Sequence, residues 1–449
     1  MTGGLESFGR VFPGQARVLE PRQAVSLLEG GRAAPGSLLG YGNGRSYGDS
    51  CLNAGGALVD MRSARRILSF DPETGILTAE AGAFLSDIIT QVARHGWFPP
   101  VLPGTQHVTL GGAIANDVHG KNHHRRGSFG AHVLSLTLLR SDGRTYVCSA
   151  DSRPDLFRAT IAGMGLTGLI LKATLRLMRA GSPHVVQTVR PFGSLREYFD
   201  LAGEADLRNE YAVAWIDQLA GGRAAGRGLL LMGNHADGSE GADIDMTPGR
   251  LSVPVQPPFT VLNRPFLRLF NAAYRWKNGS RREPECVPAK SFFFPLDSVG
   301  HWNRLYGPGG LFQHQSVVPA AAAREAIPAM LALARRRGQG SFLTVLKRFG
   351  DRPSPGILSF PRAGYTLTLD FPNRGLGTRL MLADLDRIAI EAGGAVNPYK
   401  DARMPAHVFE ASFPDWRMLE DLRDPAFVSD FWRRTALTLD HGARAIAAE

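Results

Sequence analysis

Residues 119–124, with the sequence His-Gly-Lys-Asn-His-His, bring together four side chains that are cationic or titratable. They follow residues 103–117, in which glycine and apolar residues are closely interleaved. Glycine lacks a Cβ atom, so a glycine-rich backbone can touch a ligand directly, and consecutive N–H groups can hold an anion such as a pyrophosphate. The alternatives are a solvated loop and a metal site. Metal is the weaker alternative, because no cysteine or carboxylate cluster completes a tetrahedral set. We therefore expect a ligand-binding loop without a metal.

The composition describes a two-domain globular protein with an excess of positive charge. At 449 residues the chain is too long for one core, and its 44% hydrophobic and 20% charged residues are ordinary values. A net charge of +10 suits nucleic acid, an anionic membrane surface or a phosphorylated substrate. Nucleic acid is the least expected of these, because no helix-turn-helix, RNP or zinc-finger pattern is present. An excess that merely aids solubility is an equal alternative.

Cysteine usage and hydropathy predict a cytoplasmic protein without a membrane span. Cys51, Cys148 and Cys286 are too few and too scattered for a disulfide framework, so a reducing compartment fits. Residues 1–21 contain no apolar stretch typical of a signal peptide, and no apolar run is long enough for a spanning helix. If the substrate is lipid-linked, the protein must reach it from the membrane surface, which predicts peripheral membrane contact.

Periodicity predicts short strands mixed with helices, which is typical of an α+β fold rather than of regularly alternating βαβ units. Apolar residues recur at helical spacing over residues 85–92 and 379–392, and Thr378 is expected to cap the second helix. Prolines at 254, 257 and 258 and the segment 281–284 indicate long irregular segments, either functional covers or disorder. Strands are expected at residues 38–39, 57–60, 67–70, 76–80, 133–139 and 145–148.

Residues 163–168 match the glycine fingerprint of dinucleotide-binding proteins, but the segment after them does not fit that motif. The fingerprint requires a helix to begin after the glycines and an acidic residue further on. Residues 169–177 instead have the pattern of a strand, and no acidic residue lies at the ribose-binding distance. We therefore do not expect a nicotinamide cofactor here.

Several motifs along the chain resemble those of one flavoenzyme family. The sequence Gly-Tyr-Gly-Asn-Gly-Arg-Ser-Tyr-Gly-Asp at residues 40–49, together with residues 102–105, 111–115 and 119–124, looks like the flavin-binding half of the vanillyl-alcohol-oxidase class. Within that class the resemblance is to the oxidase subunits of decaprenylphosphoryl-ribose 2′-epimerase. It covers nearly the whole chain, and its motifs are specific. It continues through residues 302–304, 306–308, 313–315, 341–343, 347, 370–372 and 400–403.

The resemblance implies an α+β fold of two domains, a PCMH-type FAD-binding domain with an inserted α+β substrate domain built on an antiparallel sheet. Residues 1–183 would form the FAD-binding domain and residues 184–395 the substrate-binding domain. Residues 396–449 would return to the FAD-binding domain. In this family the segment at residues 163–168 looks like a backbone wall beside the FAD.

The resemblance also implies which residues contact FAD. They lie in the glycine-rich loops of the first domain, on the strand after the glycines of residues 163–168, and at the start of the C-terminal segment. The implied cofactor contacts are Gly42, Asn43, Gly44, Arg45, Ser46, Tyr47, Gly48, Asp49, Gly104, Thr109, Leu110, Gly111, Gly112, Asn116, Asp117, Val118, His119, Ile170 and Asn397.

Oxidation of a carbinol needs an electron sink, because no protein side chain accepts a hydride, and FAD would supply it. The hydroxyl proton needs a group of tunable pKa, and burial beside a flavin could lower the pKa of a lysine toward neutrality. By resemblance, Lys400 in the Lys-Asp-x-Arg motif holds the substrate hydroxyl, with His119 and Tyr47 as further catalytic candidates. For Gln313, Gln315 and Lys347, which the resemblance implies as substrate contacts, the alternative is a strand position that faces solvent. The implied substrate contacts are Lys121, Gln313, Gln315, Lys347, Thr368 and Lys400.

Two positions depart from the family pattern. Many members of the wider class attach FAD covalently through a histidine in the first glycine-rich loop, where this chain has Arg45. Noncovalent FAD is therefore expected. The epimerase oxidases carry a cysteine in the substrate pocket, where this chain has Thr368. A hydroxyl cannot form the adduct that a thiolate forms, so insensitivity to the family's covalent nitroaromatic inhibitors is expected. Oxidation is not threatened, because hydride transfer needs no thiol.

The function that the resemblance implies is FAD-dependent oxidation of the 2′-hydroxyl of a polyprenylphosphoryl pentose, ribose, to the 2′-keto intermediate. This is the first half of an epimerisation to the arabinose form, a precursor of cell-wall arabinan, and an NADH-dependent short-chain reductase would complete it. One alternative is an aldonolactone or alditol oxidase that acts on a soluble sugar. The others are a flavin-binding protein without catalysis and a basic surface-binding module. Lys400 and His119 at motif positions argue against these last two.

Overall fold

The computed structural model describes residues 4–14, 17–238, 244–247, 249–280 and 283–440. Up to residue 180 it consists of small sheets with short helices between them. The strands there are β1 (Val18–Leu19), β2 (Leu38–Tyr41), β3 (Ala57–Asp60), β4 (Ile67–Asp71), β5 (Ile76–Glu80), β6 (Trp97–Phe98), β7 (Val133–Leu139), β8 (Thr145–Ser149), β9 (Leu169–Arg176) and β10 (Met178–Arg179). The helices there are α1 (Pro21–Glu29), α2 (Leu85–Ala93), α3 (Leu110–Ala115), α4 (His123–Arg126) and α5 (Pro154–Thr160).

Tight turns and alternating burial account for the sheets of this first half. β4 and β5 form an antiparallel hairpin whose turn ends at Gly75, where φ is 68°, a value that glycine adopts without strain. Along β5, Leu77 and Ala79 are fully buried and their neighbours are partly exposed, as in a strand with one face in a core. One antiparallel sheet has the order β4-β5-β9-β7-β8, and a parallel sheet has the order β1-β3-β2. The strands expected in this half are confirmed, including β9 directly after the glycines of residues 163–168.

The second half begins with a long strand and alternates strands with longer helices. Its strands are β11 (His184–Phe192), β12 (Tyr211–Ile216), β13 (Gly228–His235), β14 (Leu251–Ser252), β15 (Glu285–Pro288), β16 (Val299–Gly300), β17 (Leu311–Val318), β18 (Thr344–Phe349), β19 (Gly364–Pro372) and β20 (Ala395–Val396). Its helices are α6 (Leu195–Arg208), α7 (Arg264–Gly279), α8 (Ala289–Phe293), α9 (Ala320–Arg336) and α10 (Leu376–Glu391). The C-terminal segment adds α11 (Ala406–Ser412), α12 (Trp416–Leu422) and α13 (Asp430–Arg434).

An eight-stranded sheet dominates this half, with antiparallel neighbours in the order β15-β11-β13-β12-β18-β19-β17-β20. Leu367, Leu369 and Phe371 alternate along β19 and are buried in one apolar cluster with residues of α9 and α10. The opposite face of the sheet is polar. Gln313 on β17 lies directly across from Asp370 on β19, and residues opposite each other in an antiparallel pair share a face. The expected α+β fold with a large antiparallel sheet is confirmed.

Residues after β20 return to the first half of the protein. Phe427 forms a β-bridge with Leu38 in β2. Arg434 in α13 forms ion pairs with Asp49 at 2.7 Å and with Asp401 at 2.8 Å. Within the described residues, no sheet combines strands from the two halves. The expected division of the chain, with boundaries at residues 183 and 395, stays a prediction.

Two details of the second half bear on expectations from the sequence. The expected cap is wrong: α10 begins at Leu376 after Gly375, whose φ of 72° forms the turn, and Thr378 lies inside the helix. Its hydroxyl instead accepts a hydrogen bond from the backbone N–H of Arg374 at 3.1 Å.

Residues 253–263 are irregular, as the prolines predict, and Arg281 and Arg282 lie outside the described residues. No helix in the described part of the chain is both long and apolar enough to cross a membrane.

Candidate active site

A cavity of about 360 Å³ lies between the two halves of the protein. One wall, the main-chain wall, consists of residues 40–47, 102–105, 108–121 (in part) and 164–170 (in part) of the first half. The opposite wall, the sheet wall, is the polar face of β17, β18 and β19 together with residues 397–400. The two expected groups of residues, one for cofactor and one for substrate, therefore meet across a single space.

The main-chain wall fits a large anionic cofactor such as FAD. A Cβ atom at Gly104 would meet no protein atom within 4 Å, so packing does not require glycine there, and a side chain would occupy cavity space. At Gly165 the nearest atom to such a Cβ belongs to Leu39, 3.8 Å away. Arg45 reaches the cavity with a buried Nε that has no hydrogen-bond partner among the described residues. A guanidinium in this state is a ready donor to a phosphate.

Most of the implied cofactor contacts border this cavity. Those that line it are Gly42, Asn43, Gly44, Arg45, Ser46, Tyr47, Gly104, Thr109, Gly111, Gly112, Asn116, Asp117, Val118, His119, Ile170 and Asn397. Their individual contacts with FAD stay a prediction.

Three implied cofactor contacts lie outside the cavity lining. The Asp49 carboxylate is held by Arg434 through two hydrogen bonds, at 2.7 and 2.9 Å. A Cβ atom on Gly48 would lie 1.7 Å from the carbonyl oxygen of Asp401, so this glycine is required by close approach of the C-terminal segment. The side chain of Leu110 is fully buried in the apolar core of the first half. These packing contacts account for the residue types at the three positions, and their contacts with FAD stay a prediction.

Asp117 borders the cavity, but its carboxylate is occupied by the protein itself. It accepts hydrogen bonds from the backbone N–H of Gly130 at 2.7 Å and from the hydroxyl of Ser128 at 2.8 Å. The hydroxyls of Ser354 and Ser359, from the second half, also donate to it. The carboxylate therefore fixes the loop of the main-chain wall to the second half and leaves only the backbone of Asp117 for a ligand.

The sheet wall carries most of the implied substrate contacts. Gln315 lies directly across from Thr368, which also pairs with Val345, so these side chains share the face that carries Gln313. Lys347 pairs with Thr366, two residues from Thr368, and therefore joins the same face. The alternative that these strand residues face solvent is wrong, because all of the implied substrate contacts line the cavity. Sequence motifs from three strands thus converge on one surface.

His119, from the loop after α3, is held by side chains of the sheet wall. Nε2 of its ring lies 3.0 Å from the amide nitrogen of Gln315, and Nδ1 lies 3.1 Å from Nζ of Lys347. Burial, and then the neighbouring charge of Lys347, holds the pKa of His119 well below its ordinary value. Burial also lowers the pKa of Lys347 to about 7. The ring is therefore neutral at physiological pH.

The hydrogen-bond directions in this network follow from one obligate donor. The backbone N–H of Tyr399 donates to Oδ1 of Asn397 at 2.9 Å, so the amide nitrogen of Asn397 donates to Oε1 of Gln315, also at 2.9 Å. The amide nitrogen of Gln315 must then donate to Nε2 of His119, which places the ring proton on Nδ1. Nζ of Lys347 can accept a hydrogen bond from Nδ1–H only as a neutral amine. The network therefore favours uncharged Lys347, in agreement with its lowered pKa.

Lys400 lies beside Asp370, a carboxylate of the sheet wall with one oxygen that has no hydrogen-bond partner among the described residues. Its Nζ is 4.5 Å from the centroid of the Tyr47 ring, and burial lowers its pKa to about 8 while Asp370 opposes the shift. Oδ1 of Asp370 accepts a hydrogen bond from Gln313 at 2.5 Å, and Oδ2 has no partner among the described residues. Burial raises the pKa of Asp370 to about 7 and holds that of Tyr47 well above its ordinary value. Lys400 can therefore take up or release a proton near neutral pH.

Lys121 is placed differently from the other two lysines. Its Nζ donates a hydrogen bond to the carbonyl oxygen of Phe292 and lies 4.5 Å from the centroid of that residue's ring. Burial lowers its pKa to about 7. Its backbone oxygen accepts a hydrogen bond from Ala212 in β12 at 2.9 Å. Lys121 thus links the main-chain wall to the second half and borders the cavity with its side chain directed at Phe292.

Sequence reasoning missed two carboxylates of this site. Asp370 belongs to the family motif at residues 370–372, but the motif alone assigns it no role. An acidic residue within the run Leu-Thr-Leu-Asp-Phe-Pro is nevertheless a visible signal of a buried charge. Asp297 also lines the cavity and accepts hydrogen bonds from the backbone N–H of Gln106 at 2.8 Å and the hydroxyl of Thr105 at 3.1 Å. No pattern around Asp297 marked it, because its partners are 191 and 192 residues away in sequence.

Comparison with known proteins agrees with this geometry. Residues 22–149 match the family model of the FAD binding domain. Over 97% of this chain and 98% of the other protein, the sequence is 35% identical to decaprenylphosphoryl-beta-D-ribose oxidase of Mycolicibacterium smegmatis. The chain belongs to this family of FAD-linked oxidases. It is an FAD-dependent oxidoreductase, FAD is its cofactor, and the resemblance seen in its motifs is confirmed.

Relatives named for other substrates match this FAD-linked oxidase only in part. L-gulonolactone oxidase of Mus musculus is 32% identical over 38% of this chain and 38% of that protein. D-arabinono-1,4-lactone oxidase of Yarrowia lipolytica is 30% identical over 35% of this chain and 30% of that protein. These partial matches support the shared flavin chemistry but leave most of the chain without a counterpart.

Proposed function

We propose that this enzyme oxidises the 2′-hydroxyl of a polyprenylphosphoryl ribose to the 2′-keto compound, the first half of an epimerisation to the arabinose form. The observation that carries the proposal is the sheet wall, on which Gln313, Gln315 and Lys347 lie together with Lys400. Amide groups both donate to and accept from sugar hydroxyls, and ammonium groups pair with phosphate. The full-length match to a relative named for decaprenylphosphoryl ribose supports the same substrate class.

In this reaction the carbinol carbon loses a hydride while its oxygen loses a proton. Bound FAD, held by the main-chain wall and Arg45, supplies the sink for the hydride. Lys400, as a neutral amine, accepts the hydroxyl proton. The carboxylate of Asp370 stabilises the ammonium that results, since an opposite charge nearby favours the charged form. The ring of Tyr47 covers Lys400 and limits the access of water.

The other polar groups position the substrate. His119 is held in one orientation by Gln315 and Lys347, so its ring forms a fixed side of the site. Lys347 and Lys121, whose pKa values lie at about 7, would be protonated when an anionic phosphate enters. We therefore expect binding of a sugar phosphate to take up protons from solution. Calorimetric titration with ribose 5-phosphate at pH 8, in buffers of different ionisation enthalpy, measures this uptake directly.

An anaerobic screen of the bound flavin tests the proposal. Polyprenylphosphoryl ribose should bleach the flavin absorbance, whereas ribose, alditols and aldonolactones should not. The second candidate function is a soluble aldonolactone or alditol oxidase, which the partial matches to lactone oxidases favour. That enzyme would be bleached by the free sugars and not by polyprenylphosphoryl ribose. Its substrates are uncharged, so they would bring no negative charge to the lysines of the cavity.

A partner enzyme and the state of the cofactor complete the proposal. The 2′-keto product must be reduced for the epimerisation to finish, and we expect an NADH-dependent short-chain reductase to do this. NADH oxidation that requires both proteins and the ribose substrate would support this step. We also expect noncovalent FAD. Cys51 lines the cavity, but burial raises the pKa of its thiol to about 12, so it is not a nucleophile at neutral pH. Acid precipitation should release all flavin into the supernatant.

A further inference from the structure

Helix α7 exposes an apolar face to solvent. Phe266, Leu269 and Trp276 have exposed fractions of 40%, 71% and 80%, and Ala272 and Ala273 are also exposed. At 3.6 residues per turn these five side chains fall within roughly 120° of the helix circumference. We refer to them as the outer face of α7. No other part of the described chain covers them, so this face lacks the burial that normally stabilises an amphipathic helix.

The inner face of the same helix is packed against the protein. Leu267 and Asn271 are buried, and the ring of Phe270 lies 5.1 Å from that of Phe342. Phe342 in turn lies 6.0 Å from Trp302, which lines the active-site cavity. The helix is therefore firmly attached, two side chains away from the cavity. The outer face is therefore a second apolar stripe, separate from the one with which α7 packs on the protein.

The charged side chains of α7 all have one sign. Arg268, Arg275 and Arg264 lie along one border of the apolar stripe, and Lys277 lies along the other. Residues 249–280 contain no aspartate or glutamate. None of these four cations forms an ion pair within the described residues. A protein partner is normally met by mixed charge, whereas cations on both borders of an apolar stripe suit the phosphate level of a lipid bilayer.

The irregular segment before α7 extends this surface. Val255 and Phe259 have exposed fractions of 73% and 64%. The segment is attached beside the cavity, because Arg304 donates hydrogen bonds to the carbonyl oxygens of Val253 and Pro254, at 2.8 and 2.7 Å. Arg304 belongs to the short 3-10 helix Trp302–Tyr306, whose first residue lines the cavity. Helix α7 and the segment with Val255 and Phe259 are thus both attached to the part of the cavity wall that contains Trp302.

We infer that the outer face of α7, with Val255 and Phe259, docks on the surface of an anionic lipid bilayer. The apolar side chains enter the boundary between headgroups and acyl chains, and the flanking cations pair with lipid phosphates. This deepens the proposed function and rests on it for one point only, that a polyprenylphosphoryl substrate lies in the membrane. Docking here would bring the cavity to the substrate without extracting the lipid.

Co-sedimentation with vesicles tests the docking without any sugar substrate. The holoenzyme should bind vesicles of phosphatidylcholine mixed equally with phosphatidylglycerol, and bind phosphatidylcholine alone more weakly. Replacing Leu269 and Trp276 together by serine should lower the partition coefficient by at least about tenfold, because two large apolar side chains lose their burial. Leu207, 81% exposed on α6, provides the matched control. Leu207→Ser should leave binding unchanged.

The cationic border is tested by a second pair of variants. Arg268→Ser and Lys277→Ser should each weaken binding to the anionic vesicles roughly fivefold and lose that effect at high salt. Arg196→Ser, an exposed arginine on α6, is the control and should have no effect. Equal losses from Arg196→Ser would mean that overall charge drives binding, which would overturn the assignment to α7.

Trp276 provides a direct readout of insertion. It is 80% exposed, whereas the other five tryptophans are each at most 8% exposed. Addition of anionic vesicles should shift its emission to shorter wavelength, and brominated lipids should quench it. Trp276→Phe should remove the shift and keep the binding. Binding without any shift or quenching would contradict docking through this helix.

The outcomes separate this inference from the proposed function. Vesicle binding by an enzyme whose flavin is not bleached by polyprenylphosphoryl ribose would uphold the docking surface and reject the substrate. Bleaching without preference for anionic vesicles would reject the docking surface and uphold the substrate. A dimer, or a complex with a reductase, that dissociates in the Leu269 and Trp276 double variant would assign the face to a protein and overturn the inference.

Discussion

The two walls of the cavity differ in what they offer a ligand. The main-chain wall offers backbone and empty space, as at Gly104 and Gly165, and the guanidinium of Arg45, whose buried Nε has no hydrogen-bond partner among the described residues. The sheet wall offers side chains on a rigid scaffold, with Gln313 on β17 and Lys347 on β18, the two strands that flank β19. A backbone wall suits a cofactor that all members of a family share, and a side-chain wall can change with the substrate. Substitutions in the main-chain wall should therefore impair FAD binding, and substitutions in the sheet wall should impair the reaction with the substrate.

Lys400→Ala should produce the largest change in rate and leave the cofactor in place. A group that accepts the substrate proton is worth roughly 10²–10⁴ in rate, so anaerobic flavin reduction should slow by that factor. Lys400→Arg should not restore it, because a guanidinium does not accept a proton at these pH values. Flavin content and melting temperature are the controls. If Lys400→Ala loses FAD, Lys400 belongs functionally to the main-chain wall and the comparison fails.

Gly104→Val should produce the opposite failure, a loss of cofactor. A side chain there enters the cavity, and overfilling a packed site costs about 1–3 kcal/mol, or roughly tenfold to hundredfold in the dissociation constant of FAD. Gly377 is an exposed glycine of α10 where a Cβ would likewise meet no atom within 4 Å. Gly377→Val should therefore leave FAD binding unchanged. FAD titration of the apoproteins measures both, and equal affinities would contradict the placement of the cofactor.

The pH dependence should locate the proton acceptor on the sheet wall. The pKa of Lys400 is lowered from 10.5 to about 8, so the neutral amine becomes more abundant as pH rises toward 8. Flavin reduction should rise about tenfold per pH unit below 8 and level off above it. The same shift should raise the free energy of unfolding between pH 8 and 10.5, because there the unfolded chain binds a proton that the folded protein has released. If the rate of flavin reduction in Lys400→Ala still rises with pH below 8, Lys400 is not the group that titrates.

Thr368→Cys should have the smallest effect on turnover, within a few fold, since hydride transfer needs neither a hydroxyl nor a thiol at this position. Thr368 lines the sheet wall across from Gln315, so a cysteine there would meet a bound inhibitor. Nitroaromatic inhibitors should act reversibly on the parent protein and in a time-dependent, covalent way on the variant. Mass spectrometry of the intact protein detects the adduct. An adduct on the parent would point to Cys51, which also lines the cavity.

The sequence was sufficient for the parts of the protein that local patterns determine. Alternation predicted β5, helical spacing predicted α2, and the strand pattern after Gly168 excluded a nicotinamide motif. The predicted N-cap at Thr378 is wrong because the preference of threonine for helix starts is outweighed by the turn at Gly375, after which α10 already begins. Roles such as that of Asp297 could not be predicted, because they depend on contacts between the two halves that leave no local pattern.

The most direct test of the account is an isotope experiment on the carbon that is proposed to lose hydride. Anaerobic stopped-flow reduction of the flavin would be compared for polyprenylphosphoryl ribose that carries deuterium at C2′ and for the same compound deuterated at C3′. The account predicts slower flavin reduction with the C2′-deuterated substrate and an unchanged rate with the C3′-deuterated one. Slowing by deuterium at C3′, or bleaching by uncharged sugars alone, would contradict it.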